Sequence, residues 1–243
     1  MLRYILVIVS LLAVITTNAL ANILPLNGQT TGEISNRLPV LFTPAGYVFS
    51  IWSLIYLLLI FWVIGLWRNR FNKDALYERR SLLFIISCVF NIAWIFLWHY
   101  EYFLLTVVVM ISLLLTLIIL YRTYPVHDNR LSSRLPISIY LGWISVATIA
   151  NISYVLTVYE WSGWGLSDPL WAVIMMTIGA ALALHIRFHH FDIAYPAVFI
   201  WAFIGIAVRN GFEELLVMTA ALFLSAVLLV GIIFIRKKSS SVQ

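Results

Sequence analysis

Long apolar segments, broken only by short polar joints, constrain this chain more than any other feature. Eight blocks stand at 4–22, 43–67, 81–99, 103–121, 136–157, 169–187, 193–209 and 214–235. Each is long enough, or nearly so, to cross a bilayer as a helix, which takes about 20 apolar residues. With 63% hydrophobic and 10% charged residues in 243, the chain has more apolar surface than one soluble core needs to bury. Lipid offers no hydrogen bonds to an open backbone, so the choice narrows to helices or a closed barrel. The short alternating segments of a barrel are missing, which leaves an all-α polytopic transmembrane bundle. Joints such as His99–Tyr102 are tight, so successive helices run antiparallel as neighbours. No fixed-period repeat, low-complexity tract or soluble domain interrupts the pattern.

Charge placement supports eight spans. With the N-terminus inside, 13 of the 15 Lys and Arg residues fall in inside segments, and only Arg37 and Arg209 lie outside. The inside set is Arg3, then Arg68, Arg70, Lys73, Arg79 and Arg80, then Arg122, Arg130 and Arg134, then Arg187, and finally Arg236, Lys237 and Lys238. This is the positive-inside bias, and it predicts a plasma-membrane protein with both termini cytoplasmic. The net charge of +5 then reports topology and contact with anionic lipid, with no nucleic acid among the partners. The first block ends in Ala19-Leu20-Ala21, as a cleaved signal peptide would. Its retention is expected, because cleavage would leave an odd number of spans. The lone cysteine, Cys88, excludes an intramolecular disulfide.

In lipid the informative side chains are polar and aromatic. Phe49, Trp52 and Tyr56 lie at i, i+3 and i+7 of the second block, on one helix face. Asn91, Trp94 and Trp98 repeat that spacing in the third block. Tyr140, Trp143, Ala147, Asn151 and Tyr154 carry it over four turns of the fifth. Taken singly, each has a plainer reading. Trp67, Trp98, Trp161 and Trp164 suit interfacial anchors, and a membrane Asn more often joins two helices than it holds a ligand. Together, the three stripes would wall an aromatic cavity with a few polar fixtures, the usual make-up of a small-molecule site.

These stripes carry a resemblance. The second block opens Pro44-Ala45-Gly46-Tyr47-Val48-Phe49 and continues to Trp52 and Ile55-Tyr56. The third holds Asn91-Ile92-Ala93-Trp94, and the fifth holds Tyr140, Trp143, Ala147-Thr148 and Asn151. In this order and spacing the chain resembles the TspO/MBR family, the tryptophan-rich sensory proteins that include the mitochondrial translocator protein (peripheral benzodiazepine receptor). The resemblance covers 1–158, a five-helix ligand-binding core, and leaves 159–243 as about three further spans with a short basic tail. It implies a pocket for porphyrins and other planar hydrophobes, closed by the loop between the first two helices. Phe49, Trp52, Tyr56, Asn91, Trp94, Tyr140, Trp143, Ala147 and Asn151 become the ligand-binding candidates. In some members the tryptophans matching Trp52 and Trp143 are implicated in light-dependent porphyrin breakdown. The chain departs from the pattern at Ala45, at Trp98-His99, in a first loop without Trp, and in lacking the sterol pattern after Tyr159.

The implied function is binding of a porphyrin or haem-type tetrapyrrole for sensing, sequestration or transport, with no cofactor required. Membrane lipid and the hydrophobic ligand are the expected partners, together with a second copy of the chain. The alternatives are photochemical porphyrin degradation and a small secondary transporter using all eight helices. No G-x-S-x-G, H-E-x-x-H or Cys–His arrangement is present, which argues against conventional hydrolysis and metal catalysis. His185 and His189, at i and i+4 with His190 and Asp192 beside them, have a spacing that suits a metal; the plainer reading is an interfacial cluster, and no metal is expected. Arg209 with Glu213 and Glu214 is expected to cap and orient the last helix.

Overall fold

The computed structural model describes residues 1–67, 71, 74–126 and 128–235. Among these residues there is no strand. Six of the basic residues above, Arg68, Arg70, Lys73, Arg236, Lys237 and Lys238, lie outside the described set. Among the described residues nine α-helices form: α1 (Leu2–Ile23), α2 (Thr31–Asn36), α3 (Ile51–Leu66), α4 (Ala75–His99), α5 (Phe103–Tyr121), α6 (Arg134–Val158), α7 (Asp168–His190), α8 (Ala194–Asn210) and α9 (Leu215–Phe234). A 3₁₀ turn over Gly46–Ser50 runs into α3, making one apolar span of 21 residues. Among the described residues seven spans are long and apolar enough to cross a membrane, and α8, at 17 residues, is shorter.

Each of the eight apolar blocks becomes a helix, with two instructive differences. α4 starts at Ala75, six residues before its block, because the Asp74 side chain accepts the Leu76 N–H at 3.1 Å and caps it. Pro44 stands before the 3₁₀ turn rather than inside the first turn of a helix. α2 is a helix that no apolar block announces. Thr30 and Glu33 build a reciprocal capping box at its start, a T-x-x-E signal that was present in the sequence.

α1, α3, α4, α5 and α6 pack into one group, and α7, α8 and α9 into another, joined chiefly where α8 lies against α6. α6 is the central helix: 56% of its most apolar stretch is buried, against 28–39% for the other six long spans, and the shorter α8 that packs on it buries ten of its 17 residues. Its outward neighbours turn Leu57, Ile64, Leu104, Val108, Phe223 and Leu229 to the surrounding lipid. Small residues bring α8 close. A Cβ on Gly205 would collide with Val48, and one on Gly142 of α6 would stand 3.1 Å from Val198 Cβ. Buried hydroxyls return to their own helices. Ser81 donates to Tyr77 O, Ser145 to Leu141 O and Thr148 to Ile144 O, so no hydroxyl of these three meets lipid unpaired.

The alternation sorts charge between the two ends of the bundle. One end, with Met1 and the α3–α4, α5–α6 and α7–α8 joints, carries Arg3, Arg79, Arg80, Arg122, Arg130, Arg134 and Arg187 among the described residues. The other, the lid end, carries six carboxylates (Glu33, Glu101, Glu160, Asp168, Glu213 and Glu214) and two arginines, Arg37 and Arg209.

Candidate ligand-binding cavity

α3 presents its aromatic face to α6. Trp52 stacks on Tyr56 at 5.5 Å, and meets Trp143 edge-on at 6.3 Å and Tyr140 at 6.1 Å. Phe49, in the 3₁₀ turn, meets the same Trp143 edge-on at 5.8 Å. On α4, Trp94 stacks on Trp98 at 5.2 Å. Between these walls lies a cavity of ≈ 460 Å³, a size within the range of small-molecule sites, about 300–1,000 Å³. Phe49, Trp52, Tyr56, Asn91, Trp94, Trp143 and Ala147 all line it. A smaller chamber of ≈ 70 Å³ adjoins, sharing Phe49, Trp94, Trp143 and Ala147 and adding Asn151 and Tyr154. Of the nine residues singled out in the sequence, only Tyr140 lines neither space. It is buried behind Trp52 and supports Asn91 instead.

Both membrane asparagines join helices. Asn91 donates to the Tyr140 hydroxyl at 3.1 Å and accepts from Asn18 of α1 at 2.9 Å. Asn151 accepts the Trp94 indole N–H at 3.0 Å and donates to Thr106 of α5 at 2.9 Å. The plainer reading of Asn therefore holds for both, although Asn91 also faces the cavity. Trp98 is no interfacial anchor: it is 3% exposed, lines the smaller chamber and donates to Thr31 O at 3.3 Å.

Six buried donors have no partner among the described residues; Tyr77 Oη, Arg134 Nη1 and Arg187 Nε lie away from the cavities, and Tyr56 Oη, Trp143 Nε1 and Tyr154 Oη belong to residues that line them. Tyr56 and Trp143 line the main cavity, and Trp143 and Tyr154 the smaller chamber. An unmatched buried donor costs about 1–3 kcal/mol, so groups of this kind call for an acceptor. No Asp, Glu, Lys, Arg or His lines either space among the described residues. The cavity is a neutral aromatic chamber with hydrogen-bond donors.

The loop after α1 closes the chamber, and Thr31, Gly32 and Asn36 of α2 form part of its lining. Asn27 donates to His99 O at 3.0 Å, and the Arg37 guanidinium donates to Glu101 at 2.8 Å. That bond holds the Glu101 carboxyl below the usual carboxylate range. The Thr30 N–H, bonded to Glu33, lowers the Glu33 carboxyl in the same way. α8 holds the loop from the other side: Asn210 donates to Leu41 O at 3.0 Å, and Arg209 donates to Asn36. Arg209 thus serves the lid and does not cap the last helix, and Glu214 makes no side-chain cap to α9. Trp201 of α8 also donates to Val48 O at 3.1 Å, and Gly205 O accepts from Ala45 N, so the α7–α9 group braces the start of the aromatic wall. Sequence reasoning missed Asn18 and Asn22, which line the cavity from α1, although two Asn at i and i+4 in a membrane helix are a legible signal.

The histidine cluster does not converge. His185 and His189 rings stand 4.4 Å apart, but Asp192 turns into the bundle. There it accepts from the Tyr121 and Ser138 hydroxyls at 2.7 Å each and from the N–H groups of Ala194 and Tyr195 at the start of α8, with Arg134 Nε 3.8 Å away. Among the described residues no three His, Cys, Asp or Glu side chains gather as a metal site.

No curated protein and no solved structure matches this chain. A family model described as TSPO-like protein matches residues 4–234, running through α7, α8 and α9 as well as the aromatic chamber. With its apolar spans, and with the Trp52, Trp94 and Trp143 walls on the expected helices, the chain is an integral membrane protein that belongs to the TSPO-like family.

Proposed function

We propose that the chamber binds a planar hydrophobic ligand of the porphyrin or tetrapyrrole type, and that the protein senses, sequesters or transports it. The observation that carries this reading is the set of indole and phenol faces around a neutral cavity, with the Tyr56 and Trp143 donors facing it unmatched. The indole and phenol rings that line the cavity suit a flat conjugated ring, which stacks on such faces without needing charge. Carboxylates at a ligand's edge would sit toward Asn18, Asn22, Thr31 and Asn36 under the lid, where amide and hydroxyl groups replace water. Membrane lipid is the surrounding partner, the membrane is the plasma membrane with both termini cytoplasmic, and a second copy of the chain completes the assembly.

The test is a titration of the purified protein with protoporphyrin, following tryptophan fluorescence. Saturable quenching, lost in the Trp52→Phe/Trp143→Phe double variant, is the expected result. Quenching that never saturates, or that is unchanged in the double variant, sinks the reading.

Photochemical breakdown is a second reading, favoured by the 6.3 Å contact between Trp52 and Trp143. It needs indoles beside the macrocycle and no general acid or base. Illumination of the complex with loss of the porphyrin absorption band distinguishes it from passive binding.

A further inference from the structure

A second cavity lies away from the aromatic chamber, at the lid end. It measures ≈ 280 Å³ and sits between the lid segment 39–42, the last turns of α6 and the first turns of α7. Trp161 and Trp171 give it aromatic faces, and Glu160 and Asp168 give it two exposed carboxylates. Among the described residues no Lys, Arg or His lines it. Neither carboxylate has an ion pair or side-chain hydrogen bond among the described residues.

The surroundings fix the aromatic part. Trp171 donates its indole N–H to Gly163 O at 2.7 Å, and its ring lies 4.9 Å from Trp161 and 5.7 Å from Trp164. The rings therefore cannot swing away to solvent independently, and the N–H of Trp171 is already used. What the groove offers a ligand is π-face and negative charge. The two arginines of this end are engaged elsewhere, Arg37 with Glu101 and Arg209 with Asn36. Six carboxylates against two arginines also draw cations to this end from solution.

We propose that this groove binds an organic ammonium group, its charge facing Glu160 and Asp168 and its alkyl groups lying against Trp161 and Trp171. Ring faces attract such cations through their quadrupole, and an alkylated ammonium loses less hydration than a metal ion or a proton-rich amine. Asp168 also favours the N-terminus of α7, which explains one carboxylate without a ligand. Glu160 has no such role. The cation has two sources, a free solute or the choline headgroup of a neighbouring lipid. Because segment 39–42 forms one wall and leads directly into Pro44 and the aromatic span, occupancy would also hold the lid in its closed position.

The experiment is calorimetric titration of the full chain in nanodiscs with choline chloride and, in parallel, with its neutral isostere 3,3-dimethyl-1-butanol. Choline is expected to bind saturably and the isostere not to. The Glu160→Gln/Asp168→Asn variant is expected to weaken choline binding roughly tenfold or more, with protoporphyrin quenching unchanged and only a small fall in melting temperature from the charge lost at the start of α7. That unchanged quenching keeps this proposal separable from the one for the aromatic chamber. Equal binding of both probes, unchanged choline affinity in the double variant, or no saturable heat in phosphatidylglycerol nanodiscs overturns it. Phosphatidylcholine and phosphatidylglycerol nanodiscs name the source: choline binding suppressed only in the former assigns the headgroup, and equal binding in both assigns the free cation.

Discussion

α6 carries two clusters of buried polar side chains, and they are finished in opposite ways. In its first turns, Arg134 and Ser138 meet Asp192, whose carboxylate oxygens accept from two hydroxyls and two backbone N–H groups beside the guanidinium, with Arg134 Nη1 left as the one unmatched donor of that cluster among the described residues. From its middle onward, Trp143 and Tyr154 leave donors open toward an enclosed space. A low dielectric raises the stakes of both, because an unmet polar group costs more there than in water. Where the hydrogen bonds close on one another, the cluster ties α5, α6 and α8 together. Where they stay open around a cavity, they are positioned for something that arrives. Burial of polar atoms alone does not separate structure from function; the direction in which their bonds are spent does.

Breaking the closed cluster is expected to have the largest effect. Asp192→Ala strips a buried arginine of its counter-charge and leaves the Tyr121 and Ser138 hydroxyls and the start of α8 without an acceptor. A loss of about 3–5 kcal/mol is expected, read as a large fall in melting temperature in detergent. A variant that melts like the parent would mean that Asp192 is not holding the two helix groups together.

Asn151→Leu is the next in size, and it tests the bracing between the regions. It removes the acceptor for Trp94 and the donor to Thr106, with a stability loss of about 1–2 kcal/mol. Ligand affinity should fall less than stability, since Trp94 keeps its stacking on Trp98. The opposite ranking would make Asn151 a ligand contact.

Trp143→Phe sharpens the contrast from the open side. It keeps the aromatic contacts with Phe49 and Trp52 and removes a donor that has no partner among the described residues. Stability should hold or rise slightly, while porphyrin affinity drops about tenfold, the worth of roughly one hydrogen bond to a buried acceptor. Destabilisation with intact binding would place Trp143 with the closed cluster.

The smallest effect concerns the lid. Glu101, lowered by Arg37, contributes stability above the unfolded carboxylate value of about 4.3. The contribution is lost as pH falls through the depressed value in the folded protein. Both partners are partly exposed, so less than about 1 kcal/mol is at stake. Ligand release measured by stopped flow should therefore quicken modestly as pH falls below about 4, and Glu101→Gln should abolish that step. A variant that keeps the pH step would remove the latch from the lid's control.

The spans and the aromatic stripes were legible because both follow from periodicity. A run of apolar residues must be helical in lipid, and i, i+3, i+7 places Phe49, Trp52 and Tyr56 on one face whatever they meet. Thr30 and Glu33 are equally readable as a helix start, but the six residues of α2 are too few and too polar to show a helical apolar period. Other features carried no such local sign. Trp98 looked like a helix-end anchor, yet the lid segment folds over it and takes its N–H at Thr31. Arg209 sits beside two glutamates in sequence and reaches instead to Asn36, 173 residues away.

What the sequence determined by itself is the solvent of this protein, the helices it must form and the face each aromatic stripe occupies. These are short-range consequences of backbone hydrogen bonding and helical geometry. Which stripes face one another, which donors are satisfied and which remain open, and how α8 reaches across to hold the lid were decided only by the tertiary structure. Helices in lipid choose neighbours by close packing and a few long-range hydrogen bonds, with no hydrophobic pattern to record the choice in the chain.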